Sequence, residues 1–200
     1  MVDSMKKEIL EKVLELKNSG LSIGEIADEL NISTDTARYL VLNAEKLLEK
    51  SEPIDLDIYV DWRNIGSSGE RLRYLSLIMA DIIKSRNIDF DIVIGISNSG
   101  IPLATLIASE LKKEFGVYIT KKDENKGSLS KNFSPATYKK AIIIDDIVTS
   151  GKTLTECIKK LKEVCSPKLI VVLIDKSGLN EIEGIPLVPL IRVSGIKVEK

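Results

Sequence analysis

Two consecutive carboxylates and a hydroxyl-rich loop lie between a short apolar run and an amphipathic stretch of the chain. Residues 141–144 predict a buried strand, and Asp145 and Asp146 follow it directly. The stretch 154–164 predicts a helix. Between them the chain offers hydroxyls, backbone N–H groups and a cation, from Val148, Thr149, Ser150, Gly151, Lys152 and Thr153. A loop of this kind at a helix N-terminus predicts a phosphate-binding site.

The two acids indicate what else the ligand carries. A phosphate pocket has no need of adjacent carboxylates, so Asp145 and Asp146 imply ligand hydroxyls or a bound divalent cation. A ribose 5-phosphate group satisfies both requirements. A P-loop of the form GxxxxGK[ST] does not fit, because its first glycine would fall on Asp146. The remaining alternative is an ordinary strand–loop–helix turn whose acids cap the helix.

The order of strand, two acids and a T-[ST]-G-x-T loop resembles the motif that binds phosphoribosyl diphosphate (PRPP) in type I phosphoribosyltransferases. The resemblance implies that the loop holds the 5-phosphate and that Asp145 and Asp146 hold the ribose hydroxyls. It also implies Mg²⁺ as a cofactor that arrives with PRPP. The protein alone would hold no metal, and the two acids would lie near the ligand-bound ion.

A second loop has the same setting, between the predicted strand 91–96 and the predicted helix 102–115. Its members Ser97, Asn98, Ser99 and Gly100 place backbone amides at a helix start, which predicts a second anion site. Type I phosphoribosyltransferases bind the diphosphate of PRPP with a loop here. The run from Gly100 to Ala104 resembles the orotate members, which read G-[IV]-P-[LF]-A.

The segment 120–127, TKKDENKG, bears on whether the chain is an enzyme. It aligns with the catalytic loop of orotate phosphoribosyltransferases, which reads R-K-x-x-K-x-H-G. Glu124 then stands at the catalytic lysine position, where an acid repels diphosphate rather than stabilising it. No residue is therefore assigned a catalytic role. Lys121 and Lys122 would bind the diphosphate, and they would serve catalysis if the chain is active.

The first fifty residues predict a small helical unit. Ser22 and Glu25 form a capping-box pattern, and a tight turn precedes a helix that starts at Thr34. The stretch 21–42 resembles a DNA-binding helix-turn-helix, which makes the helix from Thr34 the recognition helix. The candidate DNA contacts are Thr34, Asp35, Thr36, Arg38 and Tyr39. The alternative is a three-helix interaction or dimerisation unit.

Charge and composition set limits on function. The net charge is −1, and residues 1–50 hold seven basic and ten acidic residues, a net of −3. DNA-binding modules usually show a basic face, so basic residues elsewhere or pairing of two copies must compensate. The absence of histidine excludes Ser–His and Cys–His nucleophiles. Neither an apolar run long enough to span a membrane nor a signal-peptide core is present, which favours a cytoplasmic protein.

The expected architecture has two parts, a helix-turn-helix domain (1–50) and an effector-binding domain (51–200), separated at Pro53. The second domain is α/β, with a type I phosphoribosyltransferase-like parallel sheet flanked by helices. The whole resembles the archaeal GfcR family, PyrE-like regulators of central sugar catabolism. That resemblance implies a homodimeric transcription regulator that binds operator DNA and senses PRPP or a related phosphorylated metabolite. The alternatives are an active orotate phosphoribosyltransferase and a helical protein-interaction module on a binding domain.

Overall fold

The structure is a computed structural model that describes residues 2–49, 58–120 and 127–193. The chain forms two compact units, Met1–Asp61 and Trp62–Lys200. No helix within these described ranges is long and apolar enough to cross a membrane.

The first unit consists of helices α1 (Val2–Asn18), α2 (Ile23–Glu29) and α3 (Thr34–Glu49). The predicted capping box is present: the Glu25 N–H donates to Ser22 Oγ at 3.3 Å, and the Ser22 N–H donates to Glu25 Oε2 at 2.8 Å. A buried apolar core joins the three helices and comprises Leu10, Val13, Ile26, Ala27, Leu30, Ile32, Ala37, Leu40 and Ala44. The predicted helices are thus confirmed, and the helix-turn-helix identity stays a prediction.

The segment that follows the helices belongs to the same compact unit. Tyr59 packs against the helical core, and Asn31 Nδ2 donates to the Val60 carbonyl at 3.3 Å. The predicted boundary, between residues 50 and 51, lies outside the described residues. The contacts at Tyr59 and Val60 explain why the helical unit extends to Asp61.

The second unit is an α/β domain, as predicted. Its helices are α4 (Arg63–Gly66), α5 (Gly69–Ser85), α6 (Gly100–Leu111) and α7 (Lys152–Lys162). Its strands are β1 (Ile92–Ile96), β2 (Glu114–Ile119), β3 (Ser128–Leu129), β4 (Lys140–Val148), β5 (Ser166–Asp175), β6 (Glu181–Ile182) and β7 (Ile185–Arg192). They form one sheet in the order β3-β2-β1-β4-β5-β7-β6.

The sheet is parallel except at its edges. Strands β2, β1, β4, β5 and β7 pair in parallel, and the two-residue strands β3 and β6 add antiparallel edges. All five residues of β1 and the first apolar stretch of β4 are buried, as expected for a sheet covered on both faces.

The strand order places a topological switch point between β1 and β4. The chain leaves β1 toward β2 on one side and leaves β4 toward β5 on the other. Open α/β sheets bind ligands at the carboxyl ends of the strands at such a point. Register pairs Gly95 with Ile144, so the loops that follow β1 and β4 emerge side by side. The fold therefore brings the two predicted anion loops to one place.

Candidate functional site

Strand β4 is longer than its apolar run predicted. The expected strand ended at residue 144, whereas β4 continues through Asp145 and Asp146 to Val148. Pairing with β5 explains the extension, because Asp145 lies opposite Val172 and Val148 lies opposite Asp175. Hydrogen bonding to a neighbouring strand thus overrides the polar sequence. Helix α7 likewise begins at Lys152, ahead of the predicted residue 154.

The two carboxylates at the end of β4 are half-buried and close together. The Asp146 N–H donates to Asp145 Oδ1 at 3.0 Å. Burial raises the pKa of Asp145 well above its usual value, and the neighbouring Asp146 charge raises this pKa further. Burial also raises the pKa of Asp146, opposed in part by backbone N–H groups and by the Ser99 hydroxyl. A cation or hydroxyl donors at this pair would stabilise its charged form.

The loop after β4 forms a concave pocket together with Asp145. The lining residues are Asp145, Ile147, Val148, Thr149, Ser150, Gly151, Lys152, Thr153 and Leu154. Gly151 has φ +76° and precedes the first turn of α7, and none of the described side chains caps this helix start. A left-handed residue at that position favours glycine. The structure therefore gathers the predicted phosphate-loop residues around one helix N-terminus.

The loop after β1 lies directly against the acids. A Cβ atom on Gly100 would lie 2.6 Å from the Ile144 carbonyl oxygen and 3.0 Å from Asp145 Cα. Ser99 precedes the first turn of α6, and its hydroxyl lowers the pKa of the nearby Asp146 carboxyl. The Ser97–Asn98 peptide bond is cis. The predicted loop 97–100 and the predicted acids thus share one site.

One end of the predicted diphosphate-binding segment is also near this site. Lys121, Lys122 and Glu124 lie outside the described residues. The residue before them, Thr120, donates its backbone N–H to Ser97 Oγ at 2.9 Å. The described chain resumes at Gly127 and then pairs with β2 through the antiparallel strand β3.

Tyr118 packs tightly against Gly127. A Cβ atom on Gly127 would lie 2.5 Å from the Tyr118 hydroxyl oxygen. Tyr118 is buried, and this burial raises its pKa to about 12. The phenol therefore stays neutral near pH 7.

The predicted DNA contacts lie at the start of α3, and four of the five are exposed. Thr34, Asp35, Arg38 and Tyr39 face solvent. Thr36 differs, because it is half-buried, its N–H donates to Ser33 Oγ at 3.1 Å, and the two hydroxyls are 2.7 Å apart.

Sequence reasoning did not single out Leu42 in α3. Its side chain is 72% exposed, and it lies one turn beyond Arg38 and Tyr39 on the same face. A leucine outside the apolar repeat of an amphipathic helix is the signal that could have identified it.

Sequence reasoning also missed a network behind the phosphate loop. Asp175 is fully buried at the end of β5 and forms a salt bridge with Arg192 of β7, with 2.8 Å between Asp175 Oδ2 and Arg192 Nε. The available signal was Asp175 at the end of an otherwise apolar strand, because a buried charge requires a partner.

Comparisons with known proteins agree with this architecture. Residues 61–183 match the family profile of the phosphoribosyl transferase domain. The chain is 63% identical over 210 aligned residues to the protein named transcriptional regulator GfcR from Methanocaldococcus jannaschii, with 100% of both chains covered. It is 41% identical to the protein of the same name from Methanococcus vannielii, which covers 98% of this chain and 100% of that protein.

A solved structure resembles the α/β unit. Orotate phosphoribosyltransferase from Aeropyrum pernix superposes with a TM-score of 0.54 at 18% identity, over 68% of this chain and 78% of that one. At this identity the likeness establishes the fold, which is the predicted type I phosphoribosyltransferase-like fold.

Proposed function

The chain belongs to the family of proteins named transcriptional regulator GfcR, and from this premise we propose that it is a DNA-binding transcription regulator of central sugar metabolism. Its phosphoribosyltransferase-like unit senses PRPP or a related phosphorylated metabolite. The observation that carries the ligand proposal is the convergence of two helix N-termini and two half-buried carboxylates at one switch point.

The ligand follows from the chemistry of these groups. The loop from Thr149 to Thr153 receives a terminal phosphate, because it presents hydroxyls and backbone amides at the start of α7. Asp145 and Asp146 accept hydrogen bonds from vicinal hydroxyls, as a ribose provides. The loop 97–100 receives a second anionic group at the start of α6. PRPP carries a phosphate, two hydroxyls and a diphosphate in that order.

Mg²⁺ is the proposed cofactor, bound together with the ligand. The raised pKa values of Asp145 and Asp146 support it, since two crowded carboxylates favour a divalent cation nearby. The described residues contain no cluster of three or more metal-binding side chains, and in this proposal oxygens of the ligand would supply further coordination to the ion. When bound, the ion would neutralise diphosphate charge. Asp145 and Asp146 orient the ribose hydroxyls.

The proposed DNA contacts are the exposed residues at the start of α3, with Arg38 as the candidate for a guanine or a phosphate. The net charge of −3 in residues 1–50 gives one unit little electrostatic attraction to DNA. We therefore propose that the regulator is a homodimer that places two copies of α3 in successive major grooves.

Regulation requires that the ligand binds two arrangements of the dimer with different affinity. A ligand that binds both arrangements equally shifts neither of them. A tenfold change in DNA affinity corresponds to about 1.4 kcal/mol of coupling free energy.

Calorimetric titration with PRPP and Mg²⁺ tests the ligand proposal. The wild type is expected to bind, and Asp145→Asn to lose at least tenfold in affinity. Asp81→Asn is the matched control, because it removes the same charge from an exposed residue of α5. Equal binding by the wild type and both variants would exclude Asp145 from the ligand site.

An active orotate phosphoribosyltransferase is the second candidate, favoured by the presence of both Asp145 and Asp146 at the candidate ligand site. The position of Glu124 in the sequence argues against it. Pyrophosphate release from PRPP, measured with Mg²⁺ and a panel of bases beginning with orotate, separates the two. Binding without turnover supports the sensor, and turnover at ordinary enzymatic rates supports the enzyme.

A further inference from the structure

A buried ionic network lies behind the phosphate loop. The Asp175 carboxylate is 0% exposed, and its Oδ1 accepts from the Ser177 N–H at 2.8 Å, the Ser177 hydroxyl at 2.6 Å and the Gly178 N–H at 3.2 Å. Its Oδ2 accepts from Arg192 Nε at 2.8 Å. The buried charge is therefore both hydrogen-bonded and paired, which is the condition under which a carboxylate is tolerated inside a protein.

Arg192 uses its remaining nitrogens to hold the same loop. Its Nη1 donates to Asn180 Oδ1 at 2.8 Å, and its Nη2 donates to the Leu179 carbonyl oxygen at 2.8 Å. One guanidinium thus joins β7 to the end of β5 and to two points of the loop that follows β5. A lysine cannot reproduce this arrangement, because its single ammonium lacks the planar fork of donors.

The held loop packs against the phosphate loop. A Cβ atom on Gly151 would lie 3.2 Å from Leu179 Cδ1 and 3.6 Å from Ile182 Cδ1. The Lys176 N–H also donates to the Val148 carbonyl oxygen at 2.9 Å. Leu179, whose carbonyl oxygen accepts from Arg192, therefore also packs against Gly151, the residue that precedes α7.

We infer that Arg192 is a positioning residue for the phosphate loop. It holds Leu179 against Gly151 and thereby fixes the backbone amides at the start of α7, without touching the ligand. The alternative is that the Arg192–Asp175 pair only stabilises the fold. The inference rests on the proposed function for the ligand, which is a phosphate or a phosphoribosyl compound.

The test measures affinity in four forms of the full chain: the wild type, Arg192→Lys, Leu179→Ala and the double variant. Titration calorimetry uses inorganic phosphate and PRPP with Mg²⁺ as probes, at a temperature where circular dichroism shows each variant folded. Each single variant is expected to weaken affinity about tenfold for both probes. The double variant is expected to lose no more than about tenfold in affinity relative to the wild type, because both changes interrupt the same connection. Arg86→Lys, at an exposed position after α5, is the control.

The outcomes separate the two proposals. If the wild type binds neither probe, the proposed ligand and the role of Arg192 are both overturned. If the wild type binds and the variants bind equally well, only the role of Arg192 is overturned. A purely structural pair predicts a lower melting temperature with unchanged affinity below it, which also overturns the inference. If Arg192→Lys does not fold, Leu179→Ala decides, since its side chain is 41% exposed and its loss leaves the ion pair intact.

Discussion

Burial and the neighbouring Asp146 charge raise the pKa of Asp145, and burial raises the pKa of Asp146, so both carboxyl groups resist ionisation at the end of β4. A carboxyl whose pKa is raised on folding contributes stability that is fully present below the unfolded pKa and is lost as pH rises through the folded pKa. The pair therefore reduces the stability of the ligand-free protein at neutral pH. Reduced folding stability is typical of binding sites, and a bound ligand that favours the charged carboxylates would offset the loss.

Replacing Asp145 with Asn is expected to stabilise the ligand-free protein at pH 7. The change removes one charge and keeps the oxygen that accepts the Asp146 N–H. We expect the free energy of unfolding to rise by about 1 kcal/mol, the size of a typical single-residue effect. Urea unfolding at pH 7 measures it. The gain should disappear near pH ~4, where an unfolded carboxyl is itself half protonated. A loss of stability at pH 7 would contradict the assignment.

Gly100 sets the distance between α6 and the acids. Gly100→Ala places a Cβ 2.6 Å from the Ile144 carbonyl oxygen, and neither backbone can yield without moving the helix or the strand. We expect a loss of about 1–3 kcal/mol in the free energy of unfolding, as for other overpacked sites. Gly69→Ala is the matched control in a helix, because nothing lies within 4 Å of its added Cβ. Equal melting temperatures for the two variants would mean that α6 is free to shift.

At the scale of the elements, the sequence patterns predicted the helices and strands that interactions within one segment stabilise. The capping box at Ser22 and the apolar repeats of α2 and α3 were predicted from sequence, since a helix is stabilised within its own segment. The buried strands and alternating helices likewise predicted a parallel sheet. The loops of the site followed from the strand–loop–helix order.

Interactions between distant segments were not predictable in the same way. Strand β4 extends over two acids because β5 pairs with Asp145, Ile147 and Val148, and nothing in residues 145–148 signals that partner. Arg192 and Asp175 are 17 residues apart, and their pairing depends on the parallel register of β5 and β7. The Thr36 hydroxyl lies 2.7 Å from the Ser33 hydroxyl, a local bond that the S-T-D-T sequence allows, and its DNA contact stays a prediction.

Helix α3 provides a test of the DNA-binding proposal. Arg38 is exposed, and its Nη1 lies 3.7 Å from Asp35 Oδ1, so its removal should change stability by less than about 0.5 kcal/mol. Arg38→Ala is expected to weaken DNA binding by about 1–3 kcal/mol if the residue contacts a guanine. Fluorescence anisotropy measures this affinity with a labelled fragment of host genomic DNA that the wild-type protein retains in a binding selection.

The control for that experiment removes the same charge from the other unit. Arg86 is exposed after α5, and Arg86→Ala leaves α3 intact. We expect it to bind DNA as the wild type does. Similar losses in both variants would indicate a general charge effect, and unchanged binding by Arg38→Ala would remove α3 from the groove.

At the scale of the whole molecule, one chain combines a helical unit of residues 1–61 with an α/β unit of residues 62–200. The relatives that align over nearly the full length are named transcriptional regulators. The orotate phosphoribosyltransferase from Aeropyrum pernix superposes on 68% of this chain. The proposed sensor requires that a ligand at Asp145 and Asp146 changes how two copies of the helical unit bind DNA.

The most direct test is the affinity of the full-length protein for its recovered DNA with and without PRPP and Mg²⁺, at fixed salt. We expect at least a tenfold change for the wild type. We expect no change for Asp145→Asn, whose affinity for DNA without ligand stays that of the wild type. The same DNA affinity with and without PRPP in the wild type, in a sample that calorimetry shows to bind PRPP, would contradict the proposed sensor.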